Sequence, residues 1–231
     1  EQEPFAKIRY PETYCIGSTY SMLVFGLNIE DFEYAFQLDG PYDEKKGLRF
    51  HKDNILLDPY ARAVTGQRHW GERPEGGKDF VYHARVVENN FDWEKSCFLN
   101  HPFEDLVIYE MHVRGFTRDA SSGVKAPGTF EGLREKIPYL KDLGINAVEL
   151  MPVYEFTELE AVKPLRQNAY PAKDQEGNPV EETPPRINYW GFKKGYYFAP
   201  KASYSVKDPV LEFKEMVRAF HAEGMEVILQ F

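Results

Sequence analysis

The stretch LVIYEMHV, residues 106–113, is apolar at nearly every position. Such a run is what a strand covered on both faces requires, and it is the pattern of a parallel sheet flanked by helices. Working downstream, TFEGLREKIPYLKDLG (129–144) places Phe130, Leu133, Ile137, Leu140 and Leu143 at helical spacing, with Thr129 as N-cap and Gly144 just past the end. Pro138 either kinks this helix or marks its true first turn. INAVELMPV (145–153) reads as a second buried strand. DPVLEFKEMVRAFHAEG (208–224) reads as a helix with Asp208 as N-cap, Pro209 at the first helical position and one apolar face of Val210, Phe213, Met216, Val217 and Phe220. MEVILQF (225–231) reads as a third strand. Between the second strand and the last helix, residues 154–207 are rich in Pro, Lys and Glu. A stretch of that length without a core pattern points to a functional loop.

Upstream the texture differs. STYSMLVFGL (18–27) and DFEYAFQL (31–38) are short aromatic and β-branched runs, and DGPYD (39–43) is a turn signal. Residues 1–60 read as a small β module, 61–104 as a connector and 105–231 as alternating strand and helix. Crossovers of this kind make parallel βαβ units, and three such strands are too few to close a barrel.

Composition narrows the function classes. The chain has 231 residues and a formal net charge of −9, with its basic residues scattered, which argues against a nucleic-acid partner. Aromatic residues make up 15%. No apolar run is long enough for a membrane span. Cys15 and Cys97 are the only cysteines, too few for a disulfide framework, so a reducing compartment, the cytoplasm, is expected. His69, His83 and His101 lack ligand spacing, so neither a metal nor another cofactor is expected.

Several words, taken together and in order, resemble the α-amylase family of glycoside hydrolases, and within it the isoamylase-type glycogen debranching enzymes. They are DLVIYEMHVRGFT (105–117), LKDLGINAVELMPVYEF (140–156), NYWGF (188–192) followed by YFAPKASYS (197–205), and EFKEMVRAFHAEGMEVIL (212–229). DGPYD and LLDPYARAV (56–64) resemble the exit of that family's glycan-binding β-sandwich. The resemblance implies the first βαβαβ part of a (β/α)8 TIM barrel, preceded by an incomplete N-terminal all-β, immunoglobulin-like module. It implies retaining hydrolysis of α-1,6 branches in a branched α-glucan such as glycogen, amylopectin or limit dextrin, using two carboxyls about 5 Å apart. The family carries its catalytic acids on later barrel strands, so no catalytic residue is assigned within these residues.

The resemblance makes Tyr189 the residue that stacks under glucose at the cleavage site, with Asn188 and Trp190 flanking it. Trp190 is expected to pack beneath the loop. His112 is a further substrate-binding candidate: period two places Glu110, His112 and Arg114 on one face, either a polar layer at a barrel mouth or, the favoured reading, an interior ion pair with a satisfied histidine. Glu110 and Glu149 are expected to form structural salt bridges. Arg134, Glu135 and Lys141 read as solvated surface. Gln230 stands where the family shows an Asp, which raises the alternative of a glucan-binding or regulatory homologue without hydrolytic activity.

Overall fold

A computed structural model describes residues 5–65, 68–72, 82–160 and 186–231. The organising element is a parallel three-stranded sheet of β4 (Ile108–Met111), β5 (Ala147–Leu150) and β8 (Glu226–Leu229), in the order β4-β5-β8. The strands are in register, with Tyr109, Val148 and Val227 in one row and Glu110, Glu149 and Ile228 in the next. Central β5 is covered on both faces, and Ala147, Val148 and Leu150 have no exposed surface. Outer β4 is not, contrary to expectation. It has one strand neighbour in this sheet, and Ile108 and Glu110 are exposed.

The strand also stops earlier than its apolar run suggests. His112 caps α1 (Val113–Thr117): its ring Nδ1 accepts the Gly115 N–H at 3.0 Å. Arg114 therefore sits in a helix, and the period-two face of Glu110, His112 and Arg114 breaks at Met111.

The run 129–144 forms two helices, α2 (Phe130–Arg134) and α3 (Ile137–Asp142). The Thr129 hydroxyl caps α2 by accepting the Gly132 N–H at 3.1 Å. Pro138 lies in the first turn of α3, where its missing N–H costs nothing, so it restarts the helix. Leu143 lies past the helix and is 52% exposed, not part of the apolar face. The long helix α4 (Pro209–Ala222) begins as expected, with Asp208 Oδ1 accepting from Val210 and Leu211 at 2.9 Å. Helices α3 and α4 end alike. Ile145 N–H returns to Leu140 O and Met225 N–H to Phe220 O, each across a glycine with positive φ, and each turn feeds a parallel strand.

The main core is built from α2, α3, α4 and the sheet: Phe130, Leu133, Leu140, Val148, Leu150, Met216, Phe220 and Met225 are buried. The charged helix residues do more than face solvent. Arg134 pairs with Glu131 at 2.8 Å and crosses to Glu215 on α4 at 3.0 Å, and Lys141 pairs with Glu223.

Further N-terminal, β1 (Glu33–Tyr34), β2 (Ala63–Val64) and β3 (Ala84–Arg85) form an antiparallel sheet in the order β1-β3-β2. Its small core of Ala61, Val64 and Ala84 is closed by Ala199, which comes from β7 (Gly195–Pro200) beyond the main sheet's second strand. Residues 91–101 lie along α4. Arg218 donates to Asp92 O at 2.8 Å, Ser96 Oγ lies 2.9 Å from His221 Nδ1, and His101 Nε2 lies 3.1 Å from Gly224 O. Among the described residues no helix is long and apolar enough to cross a membrane, and no three His, Cys, Asp or Glu side chains gather as a metal site.

Candidate functional site

The stretch 154–207 carries regular structure on both sides of residues 161–185. β6 (Tyr154–Phe156) pairs antiparallel with β7, with a bulge after Tyr154, and residues 161–185 lie outside the described residues. This hairpin stands beyond the C-terminal end of β5 and carries the NYWGF turn. Asn188 folds that turn. Its N–H donates to Glu158 O at 2.7 Å, its Oδ1 accepts the Gly191 N–H at 3.2 Å, and its Nδ2 donates to Thr157 O at 3.3 Å. The side chain is thus occupied in holding the loop. Gly191 has φ +80°, and a Cβ there would come within 2.5 Å of Phe156 Cε1, so the turn lies directly on that ring.

The turn delivers Tyr189 onto His112. The two rings stack with centroids 4.3 Å apart and planes 13° apart. His112 Nε2 lies 2.8 Å from Tyr189 O and 3.1 Å from Tyr204 Oη. Since Nδ1 accepts from Gly115, Nε2 carries the proton and donates to the Tyr189 carbonyl, a tautomer set by the helix cap. Burial lowers the His112 pKa, in keeping with a neutral ring. Trp190 meets the Tyr189 ring edge-on at 5.1 Å and is 55% exposed, so it does not pack beneath the loop as expected. It follows the turn outward because the Phe156 side is taken by Gly191.

Beneath these rings lies a residue that periodicity does not single out. Trp70 stacks on Tyr204 at 5.7 Å and touches His112, Phe156 and Tyr189 edge-on. The Arg114 guanidinium lies 5.0 Å from the Trp70 ring centroid. Arg114 makes no ion pair among the described residues, so the favoured interior ion pair gives way to a cation–π contact.

The floor is a buried charge cluster. Lys201 Nζ pairs with Glu155 Oε1 at 2.7 Å and Glu158 Oε1 at 2.8 Å, donates to Phe156 O at 3.0 Å, and lies 4.4 Å from the Phe156 ring centroid. All three charged side chains are essentially without exposed surface. The remaining oxygens are also engaged: Glu155 Oε2 accepts from Ala202 N–H at 2.8 Å, Glu158 Oε2 accepts from Gly71 N–H at 2.6 Å, and the Ser203 hydroxyl donates to Glu158 Oε1. Satisfaction of this kind is what a buried ion pair needs to persist. It ties β6, β7 and the Trp70 segment into one block. The only sequence signal is the presence of Glu155, Glu158 and Lys201 inside otherwise apolar words.

The expected salt bridges of Glu110 and Glu149 are absent among the described residues. Both carboxylates instead accept from Gln230 Nε2, at 2.9 and 3.0 Å. Like charges face one another across in-register strands, and the neutral amide bridges them. The Gln230 Oε1 is buried without a hydrogen-bond partner among the described residues. With Glu155 and Glu158 committed to Lys201, the site offers aromatic faces and polar edges for binding.

No protein-family model matches the chain. Its sequence is 37% identical over 212 residues to Isoamylase 1, chloroplastic, of Arabidopsis thaliana, covering 87% of this chain and 25% of that protein. It is 33% identical over 210 residues to a glycogen debranching enzyme of Dickeya chrysanthemi, covering 85% and 29%. Its structure is similar to that of a pullulanase from Anoxybacillus sp. LM18-11 solved in complex with maltotetraose, with TM-score 0.51 and 29% identity over 76% of this chain and 24% of the other. The chain spans about a quarter of the length of the curated relatives it matches.

Proposed function

We propose, on the premise that this chain is a relative of the isoamylase-type glycogen debranching enzymes of the α-amylase family over most of its own length, that the whole protein is a glycoside hydrolase that cleaves α-1,6 branch linkages of branched α-glucans with retention. In this reading residues 105–231 form the front βαβαβ portion of a (β/α)8 barrel. Residues 1–60 form an immunoglobulin-like glycan-binding module, and 61–104, which contribute β2 and β3 to the sheet with β1, connect the two. The free thiols Cys15 and Cys97 suit a reducing compartment, and the cytoplasm is the one proposed.

The observation that carries the reading is the Tyr189–His112 stack beside exposed Trp190, beyond the C-terminal end of a parallel sheet. Ligand sites of such sheets lie at that end, and flat rings bind the apolar faces of sugars. Tyr189 contacts glucose, Trp190 extends the aromatic surface, and His112 and Asn188 hold Tyr189 in place. The test is electrophoresis of the full natural polypeptide through glycogen-containing gel, with a reducing-end assay on glycogen. The wild type is retarded and releases reducing ends, and Tyr189→Ala loses most of the retardation. Unretarded wild type would falsify the reading.

Gln230 favours a second reading, a homologue that binds glucans without cleaving them. Its amide spans Glu110 and Glu149 where the resemblance leads to an Asp. Retardation in the gel with no reducing ends released from any branched glucan would decide for it.

A further inference from the structure

Among the described residues, Arg114 is the one cation of the site whose donors are uncommitted. Lys201 is enclosed by two carboxylates and a carbonyl. Arg114 is half-buried, and its guanidinium lies over Trp70. It donates to no acceptor among the described residues. The backbone makes room for its stem: a Cβ on Gly128 would come within 3.1 Å of Arg114 Cγ. A guanidinium has five N–H donors around its rim, and stacking uses its face, so a ring contact leaves the rim available. Burial and the like charge of Arg118 lower the Arg114 pKa, and Glu158, Tyr204 and Tyr189 lie within electrostatic reach. The group is thus partly stripped of water beside the aromatic surface, in the condition in which an added acceptor gains most.

Charge indicates the class of acceptor. Glu155 and Glu158 carry two negative charges, Lys201 and Arg114 two positive, and His112 is neutral, so the buried part of the site sums to zero. The neighbouring Arg118 is exposed, so solvent and salt screen its charge. A site with no excess charge suits a neutral, hydroxyl-rich ligand better than a phosphate. We propose that Arg114 is a glucan-contacting residue, its guanidinium rim donating to adjacent hydroxyls of a sugar ring held at Tyr189. This rests on the glucan reading above and adds to it a residue that sets how the sugar is oriented.

The test is calorimetric titration of the full natural polypeptide with maltotetraose, together with its thermal midpoint. Two hydrogen bonds from a charged donor correspond to a loss of about 10-fold or more in affinity when the donors are removed. Arg114→Met keeps a stem over Trp70 without the donors and weakens binding by about that factor. Arg114→Lys restores the charge but not the fork and recovers little of it. Both retain the wild-type midpoint within a few degrees. Wild-type affinity in Arg114→Met, or full recovery in Arg114→Lys, overturns the contact. Inorganic phosphate binding more tightly than maltotetraose, and weakening in Arg114→Met, overturns the neutral-ligand assignment. The glycogen gel separates the two claims. If wild type is retarded and Tyr189→Ala is not, while Arg114→Met binds as wild type, the contact fails and the glucan reading stands. A wild type that ignores both glucans removes both.

Discussion

His112 carries two constraints on one ring. Its Nδ1 must accept the Gly115 N–H that opens α1, and its Nε2–H must reach the Tyr189 carbonyl. Only the neutral ring does both, since protonation would set an N–H against the Gly115 N–H. Its pKa is lowered from 6.5 by burial, so the unfolded chain takes up the proton first as pH falls. The stability that the neutral ring confers is therefore whole above about 6.5 and is lost progressively below it. Thermal midpoints of wild type from pH 8 to 5 are expected to fall below pH 6.5, and the fall is shallower in His112→Gln, which cannot titrate. Equal slopes in the two proteins would rule the coupling out. Lys201 poses a different problem, for it is the cation between two buried carboxylates. Lys201→Met leaves Glu155 and Glu158 buried with no cation between them, and removing one partner of such a cluster costs about 3–5 kcal/mol. Denaturant titration of Lys201→Met measures this, and a loss below about 1 kcal/mol would mean that water replaces the ammonium.

At the scale of elements, the caps decide where helices begin, and here the sequence is most readable. Asp208 and Pro209 announce α4 because an acceptor followed by a residue without an N–H suits a first turn. Asp208→Ala is expected to cost about 1 kcal/mol by chemical denaturation, the usual loss for an N-cap. No change would mean that Glu212, whose carboxylate accepts from Val206 and Lys207, holds the entry alone. The strand at 108–111 and the helix at 130–142 were legible as types and not as extents. Apolar runs do not reveal that His112 will turn inward as a cap, and helical spacing continues across Lys136 although Pro138 forces a new start. Of the candidate site, the NYWGF turn was legible and its support was not. Trp70, Glu158 and Lys201 come from segments far apart in the chain, and their pairing is set by tertiary contact. Arg114 was misplaced for the same reason as His112, since period two holds only as far as the strand does.

For the whole molecule, the question is what the sheet and the N-terminal β segments leave uncovered. Among the described residues β4 and β8 each have one strand neighbour in the main sheet, so each presents there an outer edge with backbone donors and acceptors open to another strand. Phe231, just past β8, is 69% exposed and stacks on Tyr154 at 5.8 Å, while Phe5, Leu23, Phe25, Phe98 and Phe103 are each more than four-fifths exposed. The small core under β1-β3-β2 is closed by Ala199, which belongs to the hairpin carrying Tyr189, so this sheet and the site hairpin share packing. Strand edges and large exposed rings in one molecule favour association. The 231 residues expressed alone are therefore expected to self-associate at micromolar concentration, as read by sedimentation velocity. A longer polypeptide that supplies the strands next to β4 and β8 is expected to sediment as a discrete species under the same conditions. A monodisperse monomer of the 231 residues, with the thermal midpoint of the longer chain, would mean that the two edges need no partner, and the proposal that they belong to a larger closed sheet would fall with it.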